Sequence, residues 1–258
     1  MAAEIIFIRQ GLSEANAKNR FEGKNGNSNL HPLGKIQSEF TAEYLKNESI
    51  DAIYSSPSPR ALYLANCISK VKRMNVLIRE DLCEFDGGAW DGKTQGRISQ
   101  IWPDEDQIWK NNIDQFVAPE GESMKSFNER VKTAIDKIVA ENDGKRILVV
   151  THGYFIKNIL INAYGYDLID LKIKTKKCVN TSISEIKYDT DLKKIDVIRE
   201  SENSHLPPEL KITYPVDFEK IESALKKFGL EGEIPQKEKL NIRVNTNPLN
   251  AKAFEPTI

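Results

Sequence analysis

Two arginines, a histidine and a glutamate follow apolar, strand-like runs in this chain, and together such groups could hold and act on a phosphate anion. Arg9 follows Glu4-Ile-Ile-Phe-Ile8, and Arg60 ends a Ser-Ser-Pro-Ser-Pro-Arg segment that begins at Ser55. His152 follows Arg146-Ile-Leu-Val-Val-Thr151, and Glu84 lies in Leu82-Cys-Glu-Phe-Asp-Gly-Gly-Ala-Trp90. A guanidinium offers a planar fork of donors that matches phosphate oxygens. A helix starting near Gly153 would add free backbone N–H groups. A carboxyl group beside such a site can deliver a proton to a departing oxygen. Each residue taken singly has a plainer reading: Arg9 at the surface, Arg60 in an ion pair, His152 satisfied in a core, Glu84 solvated. Their shared placement at strand ends favours the site, because open α/β sheets bind ligands where strand carboxyl ends meet the following loops.

The elements needed to position these residues are legible. The apolar runs at 4–8, 51–55, 75–78 and 146–151 read as strands, the first and last apolar enough to be buried on both faces. Between them, Leu33–Asn47, Pro59–Val71, Ser123–Asn142 and Gly153–Tyr164 read as helices; the third carries Phe127, Val131, Ile135, Ile138 and Val139 on one core-facing stripe. Gly11 to Leu33 is rich in Asn and Gly and reads as a long functional loop. After residue 180 the pattern alternates, with 182–188 and 194–198 separated by Asp189-Thr-Asp191, as in a hairpin at a sheet edge. The expected fold is α/β: a three-layer sandwich with a mostly parallel central sheet, helices on both faces, an edge hairpin and a C-terminal extension.

Composition bounds what this arrangement does. The 258 residues give a domain prior of about 1.7, so one large domain or one domain with an appendage is expected. Lys+Arg 37 against Asp+Glu 38 leaves a net charge of −1, so attraction for phosphate must be local, and nucleic acid is not an expected partner. No run approaches the roughly 18 apolar residues of a membrane span. The first residues lack a signal peptide's basic flank and long apolar run, and the three cysteines, Cys67, Cys83 and Cys178, are odd in number and widely spaced, so a reducing cytoplasm is expected. No metal-ligating pattern is present, and no cofactor is expected.

At these residues the sequence resembles the histidine phosphatase superfamily, the phosphoglycerate-mutase-like fold. The resemblance runs from Ile5 to about Arg199. It is carried by Arg9-Gln10-Gly11, Ser13-Glu14-Ala15-Asn16, Ser55 to Arg60, Glu84 to Trp90, Pro119-Glu-Gly-Glu-Ser123, Thr151-His152-Gly153 and the later Asn180-Thr-Ser182. It implies that Arg9, Arg60 and His152 hold the phosphoryl oxygens, with Asn16 and the Gly153 amide assisting. It implies that Glu84, its pKa raised by its surroundings, protonates the leaving oxygen. One position departs: the family's nucleophilic histidine, which forms a phosphohistidine, is here Gln10. An amide nitrogen delocalised into its carbonyl is no nucleophile, so the chain is expected to hold phosphate with little or no turnover, as a drifted or substrate-trapping form.

The resemblance therefore implies a phosphatase-type hydrolase of a small phosphorylated metabolite, inactivated at Gln10. A non-catalytic phospho-ligand binder and a mutase-type phosphotransferase are the alternatives. The connection at 94–122, with Asp104-Glu-Asp106, Trp102, Trp109 and Phe116, reads as a small acidic, aromatic lid that does not invite a second anionic group. The tryptophans read as packing, His205 as structural, and His31 as either near the pocket mouth or at the surface. Arg60→Ala is expected to abolish phosphate binding with little loss of fold. Residues 1–200 form the expected phosphatase domain; 201–258, with one plausible helix at 216–228, would wrap it or pair two copies into a homodimer.

Overall fold

In the computed structural model, which describes residues 2–212 and 215–230, the sheet is built outward from two buried central strands. β1 (Ala2–Arg9) leads into a loop holding the short α1 (Glu14–Ala17), then α2 (Pro32–Tyr44), β2 (Ala52–Ser55), α3 (Pro59–Lys72) and β3 (Val76–Ile78). There follow α4 (Gln95–Ile101), α5 (Pro103–Asn111), α6 (Met124–Glu141), β4 (Arg146–Thr151), α7 (Gly153–Ala163), β5 (Ile183–Asp189), β6 (Lys194–Glu202) and α8 (Phe218–Lys227). The strand order is β3-β2-β4-β1-β5-β6. β1, β2, β3 and β4 run parallel, while β5 pairs antiparallel with both β1 and β6, so the expected edge hairpin is present.

The pleat of β1 feeds two layers of core. Ala3, Ile5 and Phe7 pack with Phe127, Val131 and Ile135 of α6 and Phe155, Ile156 and Ile159 of α7. Ile6 and Ile8 point the other way, onto Ala42 of α2 and Ala61, Leu64, Ala65 and Ile68 of α3. A strand buried on both faces has no polar side to alternate, which is why the run reads as continuously apolar. Each such side chain contributes about 1.5–3 kcal/mol on burial. The Ser123 hydroxyl caps α6 by accepting the Ser126 N–H at 3.0 Å. Pro59 opens α3 at a position where its missing N–H costs nothing.

The tail carries the helix expected there. Its helix spans Phe218–Lys227 and docks on the protein through Ile221, Ala224 and Leu225. Pro235, Pro248 and Pro256 lie outside the described residues.

Candidate active site

The register of the central strands delivers the sequence-predicted residues to one end of the sheet. Arg9 pairs with Thr151 across the β1–β4 ladder, and Ser55 of β2 pairs with Val150. The next backbone groups continue the alignment: the Gln10 N–H donates to Thr151 O at 3.0 Å, and the Ser56 N–H to Val150 O at 3.0 Å. On the opposite flank Gln10 O accepts from the Asn180 side chain at 3.1 Å and from the Thr181 N–H at 3.2 Å. Position 10 is thereby clamped between β4 and the chain entering β5.

The side chains around it are almost all out of water. Gln10, Arg60 and His152 are 3%, 1% and 1% exposed, and Glu84 is 7% exposed. Arg9 lies over the start of α7: a Cβ added at Gly153 would sit 3.4 Å from Arg9 Nε and 3.5 Å from its Cζ. Its Nη1 donates to Cys178 O, and its Nη2 donates to Asn16 Oδ1 at 3.4 Å, which also accepts from Asn180 at 3.3 Å. The structure therefore brings Arg9, Asn16, Gly153 and Gln10 together. Arg60 approaches from the first turn of α3, and its electrostatic influence is felt at both His152 and Glu84.

His152 Nε2 sits 2.8 Å from Ser56 Oγ and 3.4 Å from Ser58 Oγ. Burial, then the positive charges of Arg60 and Arg9, push its pKa well below the usual imidazole value of 6.5, so the ring is neutral. Which of Nε2 and Ser56 Oγ donates depends on the ring tautomer, which heavy-atom positions leave open. Glu84 is held by three backbone donors: Phe85 and Phe155 N–H to Oε1 at 3.0 and 3.1 Å, and Tyr154 N–H to Oε2 at 3.0 Å. Burial nevertheless dominates and raises its pKa above the usual 4.5, against the pull of those donors and of Arg60 and Arg9. Glu84 is thus tied to the same helix N-terminus that begins at Gly153.

Arg60 Nε, His152 Nδ1 and Gln10 Oε1 are among the buried polar atoms that have no hydrogen-bond partner among the described residues. Native interiors pair such atoms, and leaving one unpaired costs about 1–3 kcal/mol. Arg60 Nε–H is a donor suited to an anion, and so is His152 Nδ1 in the tautomer that carries the ring proton there. The Gln10 amide presents either its oxygen or, turned over, its N–H, an assignment that heavy-atom positions leave open.

Several partners had no sequence signal. Glu22 is buried against Arg60, its Oε1 3.4 Å from Arg60 Nη1 and side-chain exposures 2% and 1%. The Ser13 and Ser28 hydroxyls donate to the same carboxylate, while Arg60 also donates to Gly26 O and, at 3.0 Å, to Gly23 O. In the sequence Glu22 is one charge among many in an Asn/Gly-rich loop. Arg130 of α6 donates to Cys83 O at 2.9 Å, Glu84 O at 3.1 Å and Glu122 Oε1 at 2.7 Å. Since Glu122 also accepts the Asp86 N–H at 2.7 Å, the Pro119–Ser123 segment supports the Glu84 loop from below.

The lid reading changes in one respect. Asp106 is buried and consumed internally, accepting from Gln95 at 2.5 Å, Ser99 at 2.6 Å and Lys110 at 2.7 Å, so it does not present its charge to a ligand. Trp90 and Trp109 pack in an aromatic cluster with Phe21, Phe85 and Phe116. His31 is neither at the pocket mouth nor on the surface: it is 1% exposed and caps α2, its Nδ1 accepting the Leu33 N–H at 3.3 Å. His205 stacks on Tyr44 with ring centroids 5.0 Å apart. No cluster of metal-ligating side chains and no helix long and apolar enough to cross a membrane occurs among the described residues.

Comparison with known proteins agrees with this architecture. The description of the histidine phosphatase superfamily (branch 1) matches residues 5–201. Phosphoserine phosphatase 1 of Hydrogenobacter thermophilus is 28% identical over 71% of this chain and 85% of its own length. Phosphoglycerate mutase-like protein 4 of Arabidopsis thaliana is 31% identical over 70% and 78% of the two chains. Among solved structures, Bacillus stearothermophilus YhfR superimposes with a TM-score of 0.74 at 26% identity, covering 79% of this chain and 98% of that one. The chain belongs to the histidine phosphatase superfamily.

Proposed function

We propose that the site binds the phosphoryl group of a small phosphomonoester in the manner of a phosphatase, and that Gln10 leaves it with little or no phosphoryl-transfer activity. The observation that carries this reading is the set of unsatisfied buried atoms, Arg60 Nε, His152 Nδ1 and Gln10 Oε1, from the first turn of α3 and the ends of β4 and β1. A buried donor left without a partner is complementary to an anion. Arg9 and Arg60 supply guanidinium donors, His152 a ring nitrogen, and Asn16 and the Gly153 amide the remaining polar contacts. Glu84, kept protonated longer than an ordinary carboxyl group, faces the task of giving a proton to a departing alcohol oxygen.

What is missing is the attacking atom. In the family an imidazole takes the phosphoryl group and water later releases it; an amide cannot form that bond, and loss of a nucleophile costs on the order of 10⁴ to 10⁶ in turnover. Relatives that bear phosphoserine phosphatase names place phosphorylated amino acids first among the substrates to try. In this reading residues 1–200 hold the whole site, and 201–258 form an extension to it.

The test is to restore Gln10→His and screen both forms against phosphoserine, phosphoglycerates, sugar phosphates and an aryl phosphate. Hydrolysis by the restored form alone supports the proposal. Silence of both, with no measurable phosphate binding to either, refutes it.

A further inference from the structure

The chain beyond β6 lies past the residues that match the family. Its described part nonetheless reaches back to the loop that begins at Gln10. Leu206, Leu210, Ile212, Val216, Ile221 and Leu225 are buried in one cluster with Leu12, Ala17 and Leu33. Leu12 and Ala17 bracket Asn16, the side chain that accepts from Arg9.

Two polar links tie tail to loop. Gln37 of α2 is fully buried; its Oε1 accepts the Leu12 N–H at 2.8 Å, and its Nε2 donates to Leu210 O at 2.8 Å. Asn19, in the left-handed region at φ 51°, accepts the Val216 N–H at 2.8 Å and donates back to Val216 O at 3.5 Å. Asn19 in turn donates its backbone N–H to Asn16 O at 3.0 Å. The other side of the loop is wedged against α2, where a Cβ on Gly11 would fall 2.4 Å from Gly34 O. Glycine contact fixes one flank; the tail fixes the other.

We propose that residues 206–212 and 215–228 are a positioning strap for the phosphate-binding loop. When docked, they set Leu12 and Asn19, and through them the placement of Asn16, Arg9 and Gln10. The inference rests on the phosphate-site reading, and it makes the extension part of the binding machinery rather than an appendage. Displacements of about 1 Å at a preorganised site cost up to about 100-fold, so undocking the strap weakens phosphate binding without touching any ligand-contacting side chain.

The experiment uses the full chain. Asn19→Gly keeps the left-handed backbone and removes the clamp; Asn19→Asp keeps the acceptor for the Val216 N–H; Ile221→Asp undocks the tail helix from within the tail. Hydrogen exchange of residues 11–18 and 206–228 is read beside the dissociation constants of inorganic phosphate and vanadate. Asn19→Gly and Ile221→Asp are expected to speed exchange in both segments and to weaken both anions about 10- to 100-fold. Asn19→Asp, which keeps the stronger half of the clamp, retains slow exchange in both segments, and the β5–β6 hairpin keeps its protection in every variant. Faster exchange in 206–228 with unchanged exchange at 11–18 and unchanged affinity overturns the proposal. If the wild type binds neither anion, the phosphate reading fails by itself, and coupled exchange of the two segments still decides whether the strap positions the loop.

Discussion

Replacing Arg60 with alanine removes more than a contact for phosphate. Its guanidinium is the counter-charge of Glu22 and the donor to Gly23 O and Gly26 O, in surroundings where both charged side chains are at most 2% exposed. Without it Glu22 keeps only the Ser13 and Ser28 hydroxyls, the half-buried Gly26 O loses its arginine donor, and Gly23 O is left with the Gly26 N–H alone. Removing one member of a buried ion pair costs about 3–5 kcal/mol. An orphaned carbonyl adds up to about 1–3 kcal/mol, part of which relaxation and entering water recover. Arg60→Ala is therefore expected to lose about 4 kcal/mol or more, a large share of the roughly 5–15 kcal/mol that holds a domain folded. The structure replaces the sequence-based expectation that the fold would hardly notice. Glu22→Gln removes the stranded charge, so the double variant should be more stable than Arg60→Ala alone, with a coupling energy of at least about 1.5 kcal/mol in the cycle. Urea unfolding of the four proteins, followed by tryptophan fluorescence, measures it. Coupling below about 0.5 kcal/mol, within the additivity seen for independent sites, would refute the buried pair as an energetic unit.

Other predictions follow from the same geometry. His152 is held well below 6.5 and His205 is lowered to about 4, both mainly by burial, so the unfolded chain takes up protons that the folded chain refuses. Stability should fall as the pH drops from about 6.5 towards 4, by up to about 1.4 kcal/mol per unit for each histidine; Glu84, shifted upward, contributes with the opposite sign above its usual 4.5. Urea midpoints at pH 7, 6 and 5 check this, and a flat profile contradicts it. Gly11→Ala would drive a methyl to 2.4 Å from the Gly34 carbonyl oxygen, and a loss of 1–3 kcal/mol at about the scale of overpacked cores is expected in thermal unfolding.

The parts legible in the sequence are those governed by local pattern. β1 and β4 are apolar throughout because both faces are covered, and the α6 stripe repeats with the helix because only one side meets the sheet. Arg9, Arg60 and His152 were legible because each directly follows an apolar run or a Ser-Pro turn. Glu22, Arg130 and Gln37 were not. Each does its work through partners far along the chain: Glu22 on Arg60, Arg130 on the Cys83 and Glu84 carbonyls, Gln37 on Leu12 and Leu210. A polar residue on a helix or in a loop looks solvated until tertiary contacts bury it. His31 failed for the same reason, since its capping of α2 depends on geometry at one residue. Asp106 misled because its charge is spent on Gln95, Ser99 and Lys110 within α4 and α5.

The central claim is that an amide occupies the place of the attacking imidazole in an otherwise intact phosphate site. Incubating the chain and its Gln10→His form with a radiolabelled phosphomonoester, quenching in alkali and counting label on the polypeptide addresses it most directly. The account predicts alkali-stable, acid-labile label on the Gln10→His protein and none on the chain as it stands, while both bind inorganic phosphate. Label retained by the Gln10 chain, or a restored histidine that binds phosphate yet never takes it up covalently, would contradict it.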